Sequence, residues 1–273
     1  MQGASRLSLA TVREQLDREL TDTGANLPTV SDQLFSVASL LDREFALRRT
    51  LSDPATSAEA RQRLLESLFG RQLSPVTLAI LRNVVAARWS RPPDFTDAIE
   101  DLGRQVVFVE AERVGVLDDV EDELFRFGRV IDREPALAAA LTNAAIPAER
   151  RVQLLDSLVA SKAHGQTRRL LDHVVAEPRE RALDLTIEEL SRRAAAHRAR
   201  SIARVRTSVP LTLDQESRLA ASLSRIYGRD VVLQIEVDRE LLGGLIVHID
   251  DDVIDGSVAS RLIAAARGLD RAS

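Results

Sequence analysis

Apolar residues recur at intervals of three and four along most of the chain and at an interval of two near its end. The first spacing is that of one face of a helix, the second that of one face of a strand. Leu34, Val37, Leu41 and Phe45 keep the helical interval, and Leu64, Leu65 and Leu68 mark a second segment. Ser74-Pro75 opens a third, with Ser as N-cap and Pro at the first helical position. Its Leu78, Leu81, Val84 and Val85 form one stripe. Arg91-Pro92-Pro93 breaks that stripe, and a long helix is predicted from about Phe95 to Val114. Near residue 205 the rhythm changes. ARVRTSVPL alternates as a half-buried strand does, VVLQIEVD places Val231, Leu233, Ile235 and Val237 on one face, and GLIVHI reads as a third strand. LTLDQESRLAASLSRIYG is predicted to be a helix ending at Gly228. DGSVASRLIAAARGL is predicted to close the chain as a helix, with Asp255 or Ser257 as cap.

The helical part repeats itself. LFSVASLLDREFALRRTLSDPATSAEARQRLLESLF (34–69) aligns without a gap on LFRFGRVIDREPALAAALTNAAIPAERRVQLLDSLV (124–159), and 16 of the 36 positions are identical. Leu47, Leu51, Leu64, Leu65 and Leu68 return as Leu137, Leu141, Leu154, Leu155 and Leu158. VVA at 84–86 returns at 174–176, and IEDLGRQ (99–105) matches IEELSRR (187–193) after a two-residue deletion. The second copy ends in the Arg-rich RALDLTIEELSRRAAAHRARSIARV (181–205). Two copies of this length make a duplicated module rather than a solenoid. The predicted architecture is mainly α: helical-bundle modules at 1–115 and 116–205, then a small α/β domain at 206–273.

Composition sharpens this reading. Aromatics are 3% of the 273 residues, so Leu, Val, Ile and Ala must build the core, and Ala and Leu favour helix. There is no Cys, which excludes disulfides and thiolate metal sites. The start lacks the apolar run of a signal peptide, and no stretch has the length of an apolar membrane span. Net charge is −5 and Lys162 is the sole Lys. A mildly acidic chain with few aromatics does not fit a nucleic-acid binder.

The candidate chemistry is thin. Gly243 and Gly244 lie between two predicted strands and suit a tight turn; a phosphate loop would need a GxGxxG or GxxxxGK[ST] pattern, and neither occurs. Asp250, Asp251 and Asp252 are consecutive, whereas a calcium loop spaces its acids at alternate positions. Asp255-Gly256 reads as a cap and turn. His164, His173, His197 and His248 are scattered, with no i, i+4 pair. Arg192, Arg193, Arg198, Arg200, Arg204 and Arg206 form a cationic series, expected to face water and suit a helix C-terminus. No catalytic, cofactor or metal residue emerges.

VPLTLDQESRLAASLSRIYGRDVVLQIEVDRELLGGLIVHIDDDVIDGSVASRLIAA (209–265) resembles the C-terminal domain of the delta subunit of F-type ATP synthases, the bacterial counterpart of the oligomycin-sensitivity-conferring protein. The PLT start, VDRELLGGLIV and VIDGSV carry the likeness in that order. ALRRTLSDPATSAEARQRLLESLF (46–69) and SPVTLAILRNVVAARW (74–89) resemble middle helices of the family's six-helix bundle. The common form has one helical module, and two resemble the longer subunits of high-GC bacteria. The resemblance implies a non-catalytic, cofactor-free stator on the cytoplasmic face of the plasma membrane. It would link the N-terminal helices of alpha subunits to a separate subunit b, reaching the membrane only through the complex. In the family a groove between the first and fifth helices takes the partner helix. By position this implies Leu9, Val12, Leu16 and Leu20 with Val76, Ala79, Ile80 and Asn83. The alternative groove lies in the second module, around Thr167, Leu170 and Val174. The alternative function is a helical adaptor of another complex.

Overall fold

Each copy of the repeat folds into the same run of helices in the computed structural model. The structure describes residues 3–21, 24–159, 162–178, 182–198, 201–227, 231–238, 241–249 and 252–258. The first run is α1 (Ala4–Thr21), α2 (Leu27–Arg43), α3 (Phe45–Ser52), α4 (Ala58–Phe69), α5 (Pro75–Ala86) and α6 (Pro92–Arg113). The second is α7 (Leu117–Arg133), α8 (Pro135–Thr142), α9 (Ala148–Val159), α10 (Gly165–Ala176) and α11 (Leu183–Arg198). Polar side chains set the starts. The backbone N–H groups of Thr29, Ala60 and Thr77 donate to the side chains of Asn26, Ser57 and Ser74, satisfying amides that a helix leaves free in its first turn.

The repeat extends to individual hydrogen bonds. Gln33 Oε1 accepts from Ser74 N at 3.0 Å and Thr77 Oγ1 at 2.7 Å. Ninety residues on, Glu123 accepts from His164 N at 3.0 Å and from the Thr167 hydroxyl. Arg61 donates to the carbonyl of Ala87, and Arg151 to that of Ala176. Leu51 and Leu65 are fully buried, as are Leu141 and Leu155.

Some elements depart from the expectation. Phe45 does not continue the stripe of Leu34, Val37 and Leu41: the chain breaks at Glu44, and Phe45 opens α3 with 60% of its surface exposed. The same break in the second copy precedes Pro135, which cannot supply the N–H a continuing helix needs. Helix α6 starts at Pro92 rather than Phe95, because prolines fit a first turn whose amides have no helical partner. The Arg-rich segment leaves the helix at Arg198, and a strand begins at Ser201, so the expected boundary at 205/206 would cut that strand.

The described structure divides into two compact units, Met1–Ala195 and Ala196–Ser273. The first holds two apolar cores that meet on α6. Phe95, Ile99, Leu102 and Val106 enter the core built with α1, α2 and α5, while Val107, Phe108 and Ala111 enter the core built with α7, α10 and α11. A shift of ninety residues lays α1 onto residues 94–111, within α6. One helix therefore closes the first copy and takes the place of α1 in the second. This is why residues 94–108, apart from the half-buried Asp97, are buried on every side of the helix.

The second unit is β1 (Ser201–Thr207), α12 (Leu213–Tyr227), β2 (Val231–Val237), β3 (Leu245–Ile249) and β4 (Asp252–Asp255). The sheet order is β2-β1-β3-β4. Strands β1 and β2 are parallel across the α12 crossover, with Val205 opposite Ile235; β3 runs antiparallel to β1, with Val205 opposite Val247. Ala203, Val205, Leu223, Val231, Val247 and Ile249 form its core. Strand β4 was not expected, because four residues flanked by Asp carry little strand signal; it pairs with β3 through His248 and Val253.

Gly243 and Gly244 sit at φ 144° and 82°, backbone that side chains with a Cβ rarely adopt. A Cβ on Gly244 would lie 2.4 Å from the Gly256 carbonyl oxygen. Gly256 N donates to Leu245 O and Val258 N to Gly243 O, each at 2.9 Å, so the GG and DG turns lie against one another. Asp255 closes this corner as an Asx-turn, its Oδ1 accepting from Ser257 N at 2.9 Å. A bond from the Ser257 side chain, and secondarily this one from its backbone, hold the Asp255 carboxyl below the ordinary range. The predicted closing helix lies outside the described residues after Val258, as do Asp250 and Asp251. Gly244→Ala is expected to destabilise this unit by about 1–3 kcal/mol. Faster amide exchange in β1 and β3, with Trp89 fluorescence unchanged, would register it.

Candidate partner-binding surface

Helices α1 and α5 lie side by side and run in opposite directions. Ser8 Oγ, near the start of α1, donates to the carbonyl of Arg88 just past the end of α5, at 2.7 Å. Ser90 N donates to Ser5 Oγ at 2.8 Å. This register sets the second half of α1 beside the start of α5, and Val12 near Asn83.

The eight residues implied for the groove divide in two. Val12, Leu16, Leu20 and Ile80 are buried in the core of the first copy and are not available to a partner. The reason is periodicity: α1 carries a single apolar stripe, and the bundle needs it to close against α5 and α6. Leu9, Val76, Ala79 and Asn83 remain half-buried along the outer edge of the pair. Leu7, which the sequence reading passed over, is 74% exposed, and Ala10 and Ala86 are exposed beside it. The edge thus combines small and apolar side chains, the surface a helix can lie against. In the second copy Thr167, Leu170 and Val174 are all buried.

Below this edge α1, α6 and α11 share an ion cluster that spacing alone did not reveal. Asp101 is buried and accepts two bonds from Arg13, Nε to Oδ2 at 2.7 Å and Nη2 to Oδ1 at 2.8 Å. Arg193 also binds Asp101, and its Nε donates to Glu189 at 2.6 Å. Burial pushes the Arg193 guanidinium down to about 10, with repulsion from Arg13 adding and Glu100 opposing. Burial likewise lowers Arg13, against the pull of Asp17 and Glu189. Arg193 was expected to face water with its neighbours; it turns inward because Asp101 demands compensation. Arg192 and Arg204 are exposed, Arg206 pairs with Asp238, and Arg200 and the Arg198 side chain lie outside the described residues.

Among the described residues no group of three or more His, Asp or Glu side chains converges as a metal site. No helix among them is long and apolar enough to cross a membrane.

Comparison with known proteins places these features. The profile of the ATP synthase delta (OSCP) subunit matches residues 105–269, which take in the second helical copy and the sheet. ATP synthase subunit delta of Streptomyces avermitilis is 45% identical, over 97% of this chain and 97% of its own. That of Frankia casuarinae is 45% identical over 98% of this chain and 99% of its own. That of Acidothermus cellulolyticus is 46% identical over 96% and 97%. The likeness runs through both helical copies and the C-terminal unit alike. The chain belongs to the ATP synthase delta (OSCP) family, the structural, non-catalytic subunits of the peripheral stalk of the F-type ATP synthase.

Proposed function

We propose that this chain ties the N-terminal helices of the alpha subunits to subunit b. An alpha helix lies along the α1–α5 edge of the first module, residues 1–115. The C-terminal domain, from about residue 206, meets the far end of b. The work is mechanical: a stator must hold the head against the rotor, which calls for stiff helix-in-groove contacts rather than tuned catalytic groups. The observation that carries this reading is the outer edge of α1 and α5, where Leu7, Leu9, Val76 and Ala79 keep apolar surface outside the core. The chain then sits on the cytoplasmic face of the plasma membrane and meets it only through its partners.

Ala79→Glu should weaken association with an alpha–beta head by at least about tenfold, since burying an unpaired carboxylate costs well over the 1.4 kcal/mol this represents. Helical circular dichroism should be unchanged, because Ala79 is not in the core. Unaltered affinity, measured calorimetrically, would remove this edge from the interface.

A further inference from the structure

The ninety-residue repeat supplies a second cleft of the same design, between α6 and α10, and this one has a helix in it. We infer that α2 of the first module is the resident occupant of the α6–α10 cleft, so that the second module is not a receptor for a partner helix.

Three contacts set α2 along α10 in one direction. Asp32 meets Arg169 at 2.9 Å, the Phe35 ring stacks on His173 with centroids 4.1 Å apart and planes 15° apart, and Arg43 faces Glu177 at 3.8 Å. On the α6 side, Gly103 lets the Phe35 ring come so near that a Cβ there would stand 2.7 Å from it. Helix α2 therefore touches both walls of the cleft.

The residue types agree with a permanent occupant. The half-buried edge positions Val76, Ala79 and Asn83 of the first copy correspond to Gln166, Arg169 and His173 in the second, and Leu20 corresponds to Glu110. Glu110 accepts from both Gln166 and Arg169 at 2.8 Å, and His173 lies 3.2 Å from Glu100. An edge that exchanges partners is best left small and apolar. One that holds a neighbour of its own chain can carry paired charges, because the partners stay together and remain compensated. The family profile begins at residue 105, so the copy it covers is the one whose cleft α2 already fills.

This rests on the helix-in-groove reading above but can be tested apart from it. The chain has no cysteine, so single cysteines report cleanly. Ala79→Cys and Asn83→Cys probe α5; Arg169→Cys and His173→Cys probe the matching sites on α10. In the free full-length chain, a maleimide should label the α5 pair at least tenfold faster. Adding Phe35→Ala should speed the α10 pair and leave the α5 pair alone. An alpha–beta head should protect the α5 pair and leave the α10 rates unchanged. Equal rates at both pairs in the free chain, or protection of the α10 pair by the head, would overturn the inference. Protection of neither pair would refute the alpha-helix reading, while slow α10 labelling that Phe35→Ala relieves would still support the resident α2.

Discussion

Asp101→Asn is expected to lower the stability of the helical unit by about 3–5 kcal/mol, the cost of breaking a buried ion pair from one side. The substitution keeps the shape of the side chain and removes only its charge. Two guanidiniums, Arg13 and Arg193, then face each other around a neutral amide at a site already poor in water. Arg193 has the least to spare. Its pKa is held near 10, below that of an exposed guanidinium, so below that pH its charge costs stability, and the cost fades as pH climbs towards the ordinary guanidinium range. At neutral pH it is charged, and Asp101 compensates it together with Glu189. A second substitution, Arg193→Met, should therefore recover part of the loss, because an apolar chain of similar length removes a guanidinium left with less compensation. Guanidinium chloride unfolding, followed by helical circular dichroism and by the fluorescence of the single Trp89, measures both effects. A loss below about 1 kcal/mol would mean that the cluster behaves as an exposed pair.

This cluster also shows where sequence reading stops. The helices and their duplication were legible because burial imposes a 3.6-residue rhythm, and Leu47, Leu51, Leu64 and Leu65 keep it in both copies. The break at Glu44 was not, because a turn between two short helices leaves the spacing of Leu41 and Phe45 intact. Helix α6 was legible as a helix but not as a shared wall. Glu100, Asp101, Arg104 and Gln105 carry no apolar signal, and only the fold shows them buried, with Glu100 and Asp101 meeting His173 and Arg193 of the second copy. The candidate edge was half legible for the same reason. Periodicity finds the stripe of α1, but it does not say that Val12, Leu16 and Leu20 turn to the core while Leu9 stays at the rim. The GG pair was legible because the positive φ of Gly243 and Gly244 is a local demand that glycine meets; Gly256 carries no such φ, and Asp255, read as a helix cap, ends β4.

The second large effect is expected where α2 crosses α6. Phe35 is buried between the Gly103 backbone and the His173 ring, so Phe35→Ala should cost about 3–5 kcal/mol through lost contacts and a cavity. Gly103→Val attacks the same contact from the other side. Replacing a mid-helix glycine gains something in helix propensity, up to about 1 kcal/mol for Ala and less for a β-branched residue. The first added carbon, however, would stand 2.7 Å and 2.9 Å from two ring atoms. The ring has little room to retreat, because His173 lies flat against its face at 4.1 Å. Overpacking of this kind costs about 1–3 kcal/mol and outweighs the propensity gain. The two changes should not add. With the ring gone, the introduced valine side chain enters the space it left, so the double variant should be at least as stable as Phe35→Ala alone, with a coupling energy of about 1 kcal/mol or more. Strict additivity in a double-mutant cycle would show that ring and glycine do not constrain one another. The close approach of α2 to α6 would then need another cause than the missing side chain of Gly103.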